Sequence, residues 1–398
     1  MLRSLAYGIG GLAICFVIAA GIEYSSDPIF WDRYLNPPAN PMEPGPHFYQ
    51  PQFSMDEPAG PFFPTAEPDE TTIDPAVLEA AAEWTGQTGG TAFIVLHKGR
   101  IQIERYWDEG AADALMTGRA MTKTLNALLA GVAIGEGKLA LDDRIGDHIE
   151  GWQAEPQGDI TLRDLLYQAS GLENPPLGPG AWNRFTRSAY TGDVVMVALE
   201  HDLAREPGSI FDIGNVTSQL IAIVVQNAVG RPAQDYFVEK IWQPIGADRG
   251  SFFMDRADGM IHIDCCFRTT PHNWMRVGAL LLNDGTANGT RVLPEGWVDS
   301  MTTSSPRNPN YGMHIWLGRE YVPVRPYSEI HPVGVPHAEP FLSDDVYFIE
   351  GGGYRTLYVI PSEDMVILRL GKRHADWDSS YLPNRLVEGI VAESSDAL

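Results

Sequence analysis

Histidine and carboxylate side chains are the first candidates for chemistry in this chain. His314, His331 and His337 fall within one loop-rich segment, but their spacing is neither HxH nor HExxH, the patterns in which metal ligands share one strand or helix. The adjacent pair Asp344 and Asp345 is more typical of a solvated loop than of paired catalytic carboxylates. We therefore expect no metal and no cofactor.

Adjacent cysteines and a glycine run are the next candidates. Cys265 and Cys266 are sequence neighbours, and a disulfide between adjacent residues requires very tight geometry, so the pair is predicted to serve packing. Gly351, Gly352 and Gly353 precede a predicted strand rather than a helix, which argues against a phosphate-binding loop. Glycines there favour close backbone approach, as a substrate-binding edge strand requires.

The charge balance limits the classes of partner. The chain has 398 residues, of which 28 are basic and 52 acidic, giving a net charge of −24. Such an acidic surface repels phosphate backbones, so nucleic-acid binding is not expected. It also argues against a basic patch that docks on anionic lipid. High solubility is the simpler explanation of the charge.

Hydrophobic periodicity predicts one mixed α/β domain over 74–398. Asp74 before Pro75 is a helix start, and strands at 91–96 and 101–106 flank a short glycine-containing turn, which predicts a hairpin. A helix-rich lobe at about 140–290 separates this hairpin from later strands and a C-terminal helix. One antiparallel sheet built from both ends of the domain and flanked by helices is therefore expected. The later strands are predicted at 346–349, 355–360 and 365–370.

The N-terminal segment predicts a membrane anchor. Residues 5–22 form an uncharged apolar run of 18 residues, just long enough to span a bilayer as a helix. Arg3 precedes the run and acidic residues follow it, which places the N-terminus in the cytoplasm. A cleaved signal peptide is the alternative. We favour an anchor at 1–24, with the domain on the periplasmic side of a bacterial inner membrane.

Residues 25–73 are predicted to form an extended strap. Proline cannot continue a helix or donate to a sheet ladder, so a proline-rich stretch stays extended. The aromatic residues scattered through the strap indicate that it lies partly against the domain or a partner. The prolines from 37 onward are Pro37, Pro38, Pro41, Pro44, Pro46, Pro51, Pro58, Pro61, Pro64, Pro68 and Pro75.

Four stretches, in order, resemble one known family. They are GRAMTK at 118–123, GKLALDD at 137–143, ITLRDLLYQASGL at 160–172 and PGSIFDIGN at 207–215. A fifth, at 274–297, matches the scaffold that follows. The chain from 74 onward thus resembles the serine β-lactamase and penicillin-binding-protein family, in its esterase-like and 6-aminohexanoate-dimer-hydrolase-like branch. The resemblance implies acyl transfer through a serine ester, with a lysine as base.

The three catalytic positions implied by the resemblance all depart from the family pattern. Ala120 stands where the family has its nucleophilic serine, while the family's lysine one turn later is retained as Lys123. Losing such a nucleophile costs on the order of 10⁶ in rate. Lys123 could still bind a carboxylate or only serve the fold. The tyrosine that relays the proton is replaced by Ile213, which cannot carry one, and Asn215 remains as a ligand contact or a loop-stabilising side chain.

The third position is the strand that lines the opposite wall of the family's cleft. The resemblance places its Lys or His at Gly352, within the run Gly352, Gly353, Tyr354 and Arg355. We interpret these four residues as a substrate-binding edge. Tyr354 and Arg355 are either new polar groups at the mouth or merely exposed strand ends.

Two hypotheses explain Ala120. A catalytically silent pseudoenzyme, acting as a binding or scaffold subunit beside a membrane partner, accounts for all three departures. A serine hydrolase (esterase, amidase or peptidase) in which alanine replaces the nucleophile accounts for one. A smaller alternative is different chemistry at Tyr167, Tyr190 or Tyr354. We favour the silent domain.

Overall fold

The computed structural model describes residues 24–38, 45, 48, 50–176, 178 and 180–391. The predicted anchor at 5–22 lies outside these residues. Within the described ranges, none of the helices combines the length and the apolar character that a bilayer crossing needs.

Eleven named α-helices and fourteen strands build the described part of the chain. The helices are α1 (Pro28–Leu35), α2 (Pro75–Gln87), α3 (Lys123–Gly135), α4 (Leu162–Leu166), α5 (Arg184–Tyr190), α6 (Val194–Leu199), α7 (Asn215–Val229), α8 (Ala233–Phe237), α9 (Pro271–Leu282), α10 (Trp297–Met301) and α11 (Tyr381–Glu388). The strands are β1 (Gln52–Asp56), β2 (Gly90–His97), β3 (Arg100–Tyr106), β4 (Met116–Thr117), β5 (Arg249–Phe253), β6 (Arg268–Thr269), β7 (Thr286–Ala287), β8 (Thr290–Arg291), β9 (Trp316–Leu317), β10 (Val324–Pro326), β11 (Gly334–Pro336), β12 (Tyr347–Gly351), β13 (Arg355–Ile360) and β14 (Met365–Gly371).

A six-stranded antiparallel sheet is the centre of the domain, with strand order β3-β2-β14-β13-β12-β9. The N-terminal hairpin joins the C-terminal strands through β2 and β14, where Val95 lies opposite Ile367. Both strands are buried along their whole length, as expected for a sheet covered on both faces. The mixed α/β fold with one sheet from both ends of the domain is therefore confirmed.

Helices cover both faces of this sheet. Alternate residues of β2 point to opposite sides, so Ile94 packs in the larger core with the helical lobe and Phe93 packs in the smaller core with α2 and α11. On the lobe side, α9 approaches β14 very closely. A Cβ at Gly278 would lie 2.5 Å from Val366 Cγ1, so glycine is required for this contact.

The segment predicted as an extended strap contains regular structure. Residues 52–56 form β1, which pairs antiparallel with β5 of the lobe, and Met55 lies opposite Gly250. Residues 28–35 form the helix α1, which has Asp27 as its N-cap and a proline in its first turn. The prediction of an extended strap at 25–73 was thus wrong for the helix α1. Strand β1 is extended, as predicted, and it contacts the domain by pairing with β5.

Two buried charged residues fasten α1 to the lobe. The Asp27 carboxylate accepts hydrogen bonds from Phe30 N, Gly192 N and the Thr191 hydroxyl. The Arg33 guanidinium donates to five backbone carbonyl oxygens from three other parts of the chain, and it lies 4.4 Å from the centre of the Phe253 ring. The helix is therefore an integral part of the folded domain.

Candidate functional site

The turn that carries Ala120 leads directly into helix α3. Residues Arg119–Thr122 form a 3-10 turn, and α3 begins at Lys123. The Thr122 hydroxyl donates to Arg119 O at 2.6 Å and accepts from Phe267 N at 3.0 Å, which holds the turn against the chain after Asp264. Ala120 and Lys123, three residues apart, both line one cavity.

Lys123 is buried and held by two acceptors. Its Nζ donates to Asn215 Oδ1 and to Asp264 O, each at 2.7 Å. Burial lowers the pKa of Lys123 to about 8, and the charge of Asp264 only partly offsets this. An ammonium group has three N–H donors. Two are engaged here, so one remains for a group in the cavity.

The lowered pKa of Lys123 predicts a pH-dependent stability. Between about pH 8 and pH 10 the unfolded chain holds this proton and the folded chain does not, so stability rises with pH by about 2 kcal/mol from this group. Urea unfolding of the wild type and of Lys123→Met at pH 8 and pH 10 isolates the effect. The difference in unfolding free energy between the two proteins should change by that amount. A constant difference would contradict the lowered pKa.

The loop before α7 places Ile213 and Asn215 in the same cavity. Ile213 N donates to Tyr327 O at 3.1 Å, and Gly214 N donates to Gln168 Oε1 at 2.8 Å. Asn215 is the first residue of α7, and its Oδ1 accepts a hydrogen bond from Lys123 Nζ. The structure thus brings Ala120, Lys123, Ile213 and Asn215 together, as the resemblance implies. Only Lys123 can exchange a proton among them.

Strand β12 ends against the turn of Ala120. A Cβ at Gly351 would lie 2.2 Å from Gly118 O, so the backbone of the strand touches this turn. Gly352 lines the cavity, and a Cβ there would meet only Arg119 Nε at 3.8 Å. The position that carries Lys or His in the family thus has room for a side chain and lacks one.

The other residues of the predicted edge lie away from the cavity lining. Tyr354 is buried in the smaller core, stacked on Trp377 with ring centres 5.5 Å apart. Arg355 is also buried and donates to Gly352 O. A substrate contact for Gly353, Tyr354 and Arg355 stays a prediction, and these residues shape the strand end next to Gly352.

The cavity has a volume of about 420 Å³. It is not filled by Ile213, and its walls are mainly aromatic and aliphatic with a few charged groups. The lining residues are Ala120, Lys123, Thr124, Asn174, Pro175, Pro176, Phe185, Asp212, Ile213, Asn215, Tyr311, His314, Trp316, Tyr327, Ser328, His331, Val333, Glu350 and Gly352.

His314 is a buried neutral imidazole in the cavity wall. Burial lowers its pKa to about 3, and the nearby charge of Lys123 acts in the same direction. Because Gln168 Oε1 accepts from Gly214 N, its amide nitrogen faces His314 Nε2 at 3.0 Å and donates to it. The ring proton then sits on Nδ1. His314 also has φ 55°, a backbone region that favours glycine.

A charged cluster closes the wall next to Gly352. The buried side chains of Arg325 and Glu350 form an ion pair at 2.6 Å, and the Tyr327 hydroxyl donates to the same carboxylate. Burial raises the pKa of Tyr327, and the Glu350 charge adds to this effect. Tyr327 therefore remains protonated at neutral pH and is a poor base.

The cysteine prediction requires correction. Cys265 and Cys266 form a disulfide, which adjacent residues were expected not to do. Cys266 adopts a positive φ of 76° and its backbone N–H donates to Arg119 O. The pair therefore lies between Asp264, which holds Lys123, and the turn of Ala120. In the described ranges, no group of three His, Cys, Asp or Glu side chains could hold a metal ion.

Sequence reasoning missed several cavity residues. His314 was considered only as a metal ligand, and Tyr311, Tyr327 and Glu350 were not singled out. The alternative tyrosines Tyr167, Tyr190 and Tyr354 are absent from the cavity lining. Glu350 directly follows the apolar run of the strand predicted at 346–349, and this was a usable signal, since a buried carboxylate needs a partner.

Known proteins share this fold and parts of this sequence. Residues 76–379 match the family model described as Beta-lactamase. A candidate 6-aminohexanoate-dimer hydrolase from Bacillus anthracis superposes with a TM-score of 0.66 at 17% identity, covering 82% of this chain and 86% of that one. A family VIII carboxylesterase gives 0.58 at 17% identity, covering 83% and 99%.

The curated relatives match over shorter stretches. A candidate D-alanyl-D-alanine carboxypeptidase from Escherichia coli strain K12 is 32% identical over 120 residues, which is 28% of this chain and 28% of that protein. Protein flp from Staphylococcus aureus strain N315 is 21% identical over 178 residues, 42% and 35%. The chain thus spans about a third of the length of these relatives. Since the family model covers most of this chain, the protein belongs to the beta-lactamase family.

Proposed function

We propose that this domain is a catalytically silent member of its family that binds a small organic carboxylate without forming a covalent bond. The observation that carries the proposal is an open cavity lined by Ala120 and Lys123. Two hydrogen bonds fix the Lys123 ammonium group, and its third N–H remains for a ligand. A methyl group cannot attack a carbonyl, and Ile213 cannot relay a proton. A cation in an apolar cavity favours an anionic oxygen instead.

The walls indicate what else the carboxylate carries. Phe185, Trp316 and Val333 offer apolar surface around the charged group. His314 is neutral at physiological pH, so Lys123 and not His314 provides the positive charge for the ligand carboxylate. Of the two carboxylates in the cavity lining, Asp212 and Glu350, Glu350 is paired with Arg325 and therefore repels a ligand carboxylate less. These features support a ligand with an apolar body and one carboxylate.

Benzoate and the isosteric neutral amide benzamide test this proposal by calorimetric titration. Benzoate should bind the wild-type chain, and its affinity should fall about 30-fold between pH 7 and pH 9.5 because Lys123 loses its proton with a pKa of about 8. Benzamide should show no such dependence.

Two variants control the titration. Lys123→Met removes the cation, and Gly352→Phe fills a position where the cavity has room. Both should abolish benzoate binding while thermal melting shows a folded protein. Binding of benzoate that is unaffected by Lys123→Met would place it elsewhere and refute the proposal.

A serine hydrolase is the second candidate. The observation that favours it is the lowered pKa of Lys123, since a general base works best with a pKa near the working pH. In that case a serine would stand at the position of Ala120 in the active form. Restoring this serine distinguishes the two candidates.

We further propose that residues 5–22 anchor the domain to the periplasmic face of a bacterial inner membrane. The uncharged length of this run and the Arg3 before it support the anchor. Resistance of the chain to carbonate extraction tests it.

A further inference from the structure

We propose that the surface formed by Trp31, Leu35 and Trp182 lies in the interface of the membrane, so that the cavity opens beside the bilayer. This inference rests on the anchor proposed above. Leu35 and Trp182 are among the most exposed large apolar side chains of the described residues, at 64% and 66%. Trp31 contacts Trp182 edge to face with ring centres 6.2 Å apart.

These three residues share one face. Trp31 and Leu35 are four residues apart in α1 and therefore lie on the same side of the helix. Trp182 immediately precedes Asn183, the N-cap of α5, and α5 is the helix on which α1 packs. Arg187 of α5 lies 4.4 Å from the ring centre of Phe30 and fixes this arrangement.

The chain leading into α1 is too short to carry the surface away from a bilayer. The apolar run ends at Ile22, and Asp27 is already fastened to the lobe by three hydrogen bonds. Five peptide steps span at most about 18 Å. The headgroup region is only about 5–8 Å thick on each side of the bilayer. An anchor ending at Ile22 therefore holds α1 in this region or within about 10 Å of its outer edge.

The composition of the surface suits the interface rather than the hydrocarbon core. Tryptophan is enriched where an apolar ring meets water and headgroups. Asp32 is exposed on the same short helix, so the surface is not uniformly apolar. The net charge of −24 gives no attraction to anionic headgroups. The contact therefore depends on the apolar side chains, and we expect it with neutral lipid.

The cavity opens next to this surface. Pro176 and Phe185 line the cavity, and Asn183 Nδ2 donates to Pro176 O at 3.3 Å, which places the cavity wall beside Trp182. Pro176 is exposed. A ligand with an apolar body could therefore enter from the bilayer, and the carboxylate proposed above would belong to an amphipathic molecule.

Fluorescence quenching in vesicles tests the position of the surface. The full chain is reconstituted in phosphatidylcholine vesicles whose acyl chains are brominated near the headgroup, and tryptophan emission is compared with that in unbrominated vesicles. Trp182→Phe should lose about half of the quenching, because only Trp31 of this surface then remains. The control Trp107→Phe removes a tryptophan near Gly86 and should raise the quenched fraction.

The position of the cavity mouth is tested in the same vesicles. Phe185→Trp in the Trp182→Phe background should restore part of the quenching. If the chain floats with the vesicles but Trp182→Phe leaves quenching unchanged, the proposed surface is wrong while the anchor stands. If Trp182 is quenched and the tryptophan introduced by Phe185→Trp is not, the mouth does not face the bilayer. A chain that is extracted by carbonate and does not float refutes the anchor and, with it, this inference.

Discussion

An Ala120→Ser variant should react with a fluorophosphonate probe slowly and should hydrolyse p-nitrophenyl acetate at no more than about ten times the buffer rate. The new hydroxyl would lie on the 3-10 turn, three residues before Lys123. Lys123 would be the group that accepts the serine proton. A working general base contributes about 10²–10⁴ to such reactions, and we expect most of this contribution from Lys123 to be lost here. Ile213 offers no relay for the leaving group, and Gly352 offers no side chain on the opposite wall.

The pH profile and two controls make the result specific. Labelling should rise with pH through about 8, because Lys123 accepts the serine proton only after losing its own. Lys123→Met in the same background should abolish labelling, and Ala127→Ser, which places a buried serine further along α3, should never label. Turnover several orders of magnitude above background would instead support the working serine hydrolase.

Replacement of Arg33 by methionine should destabilise the folded chain by about 3 kcal/mol, since removing a buried charged partner leaves its neighbours uncompensated. The guanidinium donates to Tyr190 O, Thr191 O, Gln50 O, Met254 O and Asp255 O at 2.8–3.1 Å. Burial lowers its pKa to about 10, so it stays charged at neutral pH. Urea unfolding of the purified full chain measures the loss.

Arg105→Met is the matched control for Arg33. Arg105 is exposed, forms an ion pair with the exposed Glu79 and donates to Glu104 O, and such surface pairs contribute about 0–1 kcal/mol. The control should therefore unfold close to the wild type. An equal, small effect of both substitutions would mean that α1 is not fastened by Arg33.

The sheet could be predicted because its strands carry local signals. The hairpin expected at 91–96 and 101–106 is observed at Gly90–His97 and Arg100–Tyr106, since β-branched and aromatic residues flank a turn that needs Gly99 at positive φ. The strands predicted at 346–349, 355–360 and 365–370 are likewise observed at Tyr347–Gly351, Arg355–Ile360 and Met365–Gly371. Bounds differ by one or two residues, as is usual at element ends.

The elements that were missed depend on distant partners or on an overlooked cap. Strand β1 is defined by pairing with β5, about 200 residues further along the chain, and its own five residues are only partly buried. Helix α1 begins with Asp27 and Pro28, the same start that correctly predicted α2 at Asp74 and Pro75. The prolines that follow α1 hid this signal.

The candidate site was predictable from spacing where residues follow one another in sequence, and from the family resemblance at Ile213, Asn215 and Gly352. Ala120 and Lys123 share a helix start, and their relation follows from spacing. His314 joins them through Gln168, a residue 146 positions earlier, and no periodic pattern marks such a contact. The disulfide of Cys265 and Cys266 depends on a positive φ that cysteine rarely adopts.

If residues 5–22 anchor the chain as proposed above, the attachment of α1 bears on how the domain could be released from the membrane. Proteases commonly release surface domains by cutting the segment between anchor and domain. Here a cut between Asn36 and Gln50 would leave the domain bound to α1. Asp27 and Arg33 hold α1 on the lobe by side-chain hydrogen bonds, which do not depend on the peptide chain between 36 and 50. Release would require a cut before Asp27, within a few residues of the apolar run. The side-chain hydrogen bonds of α1 would thus keep the domain attached to the anchor after the peptide chain between α1 and the domain had been cut.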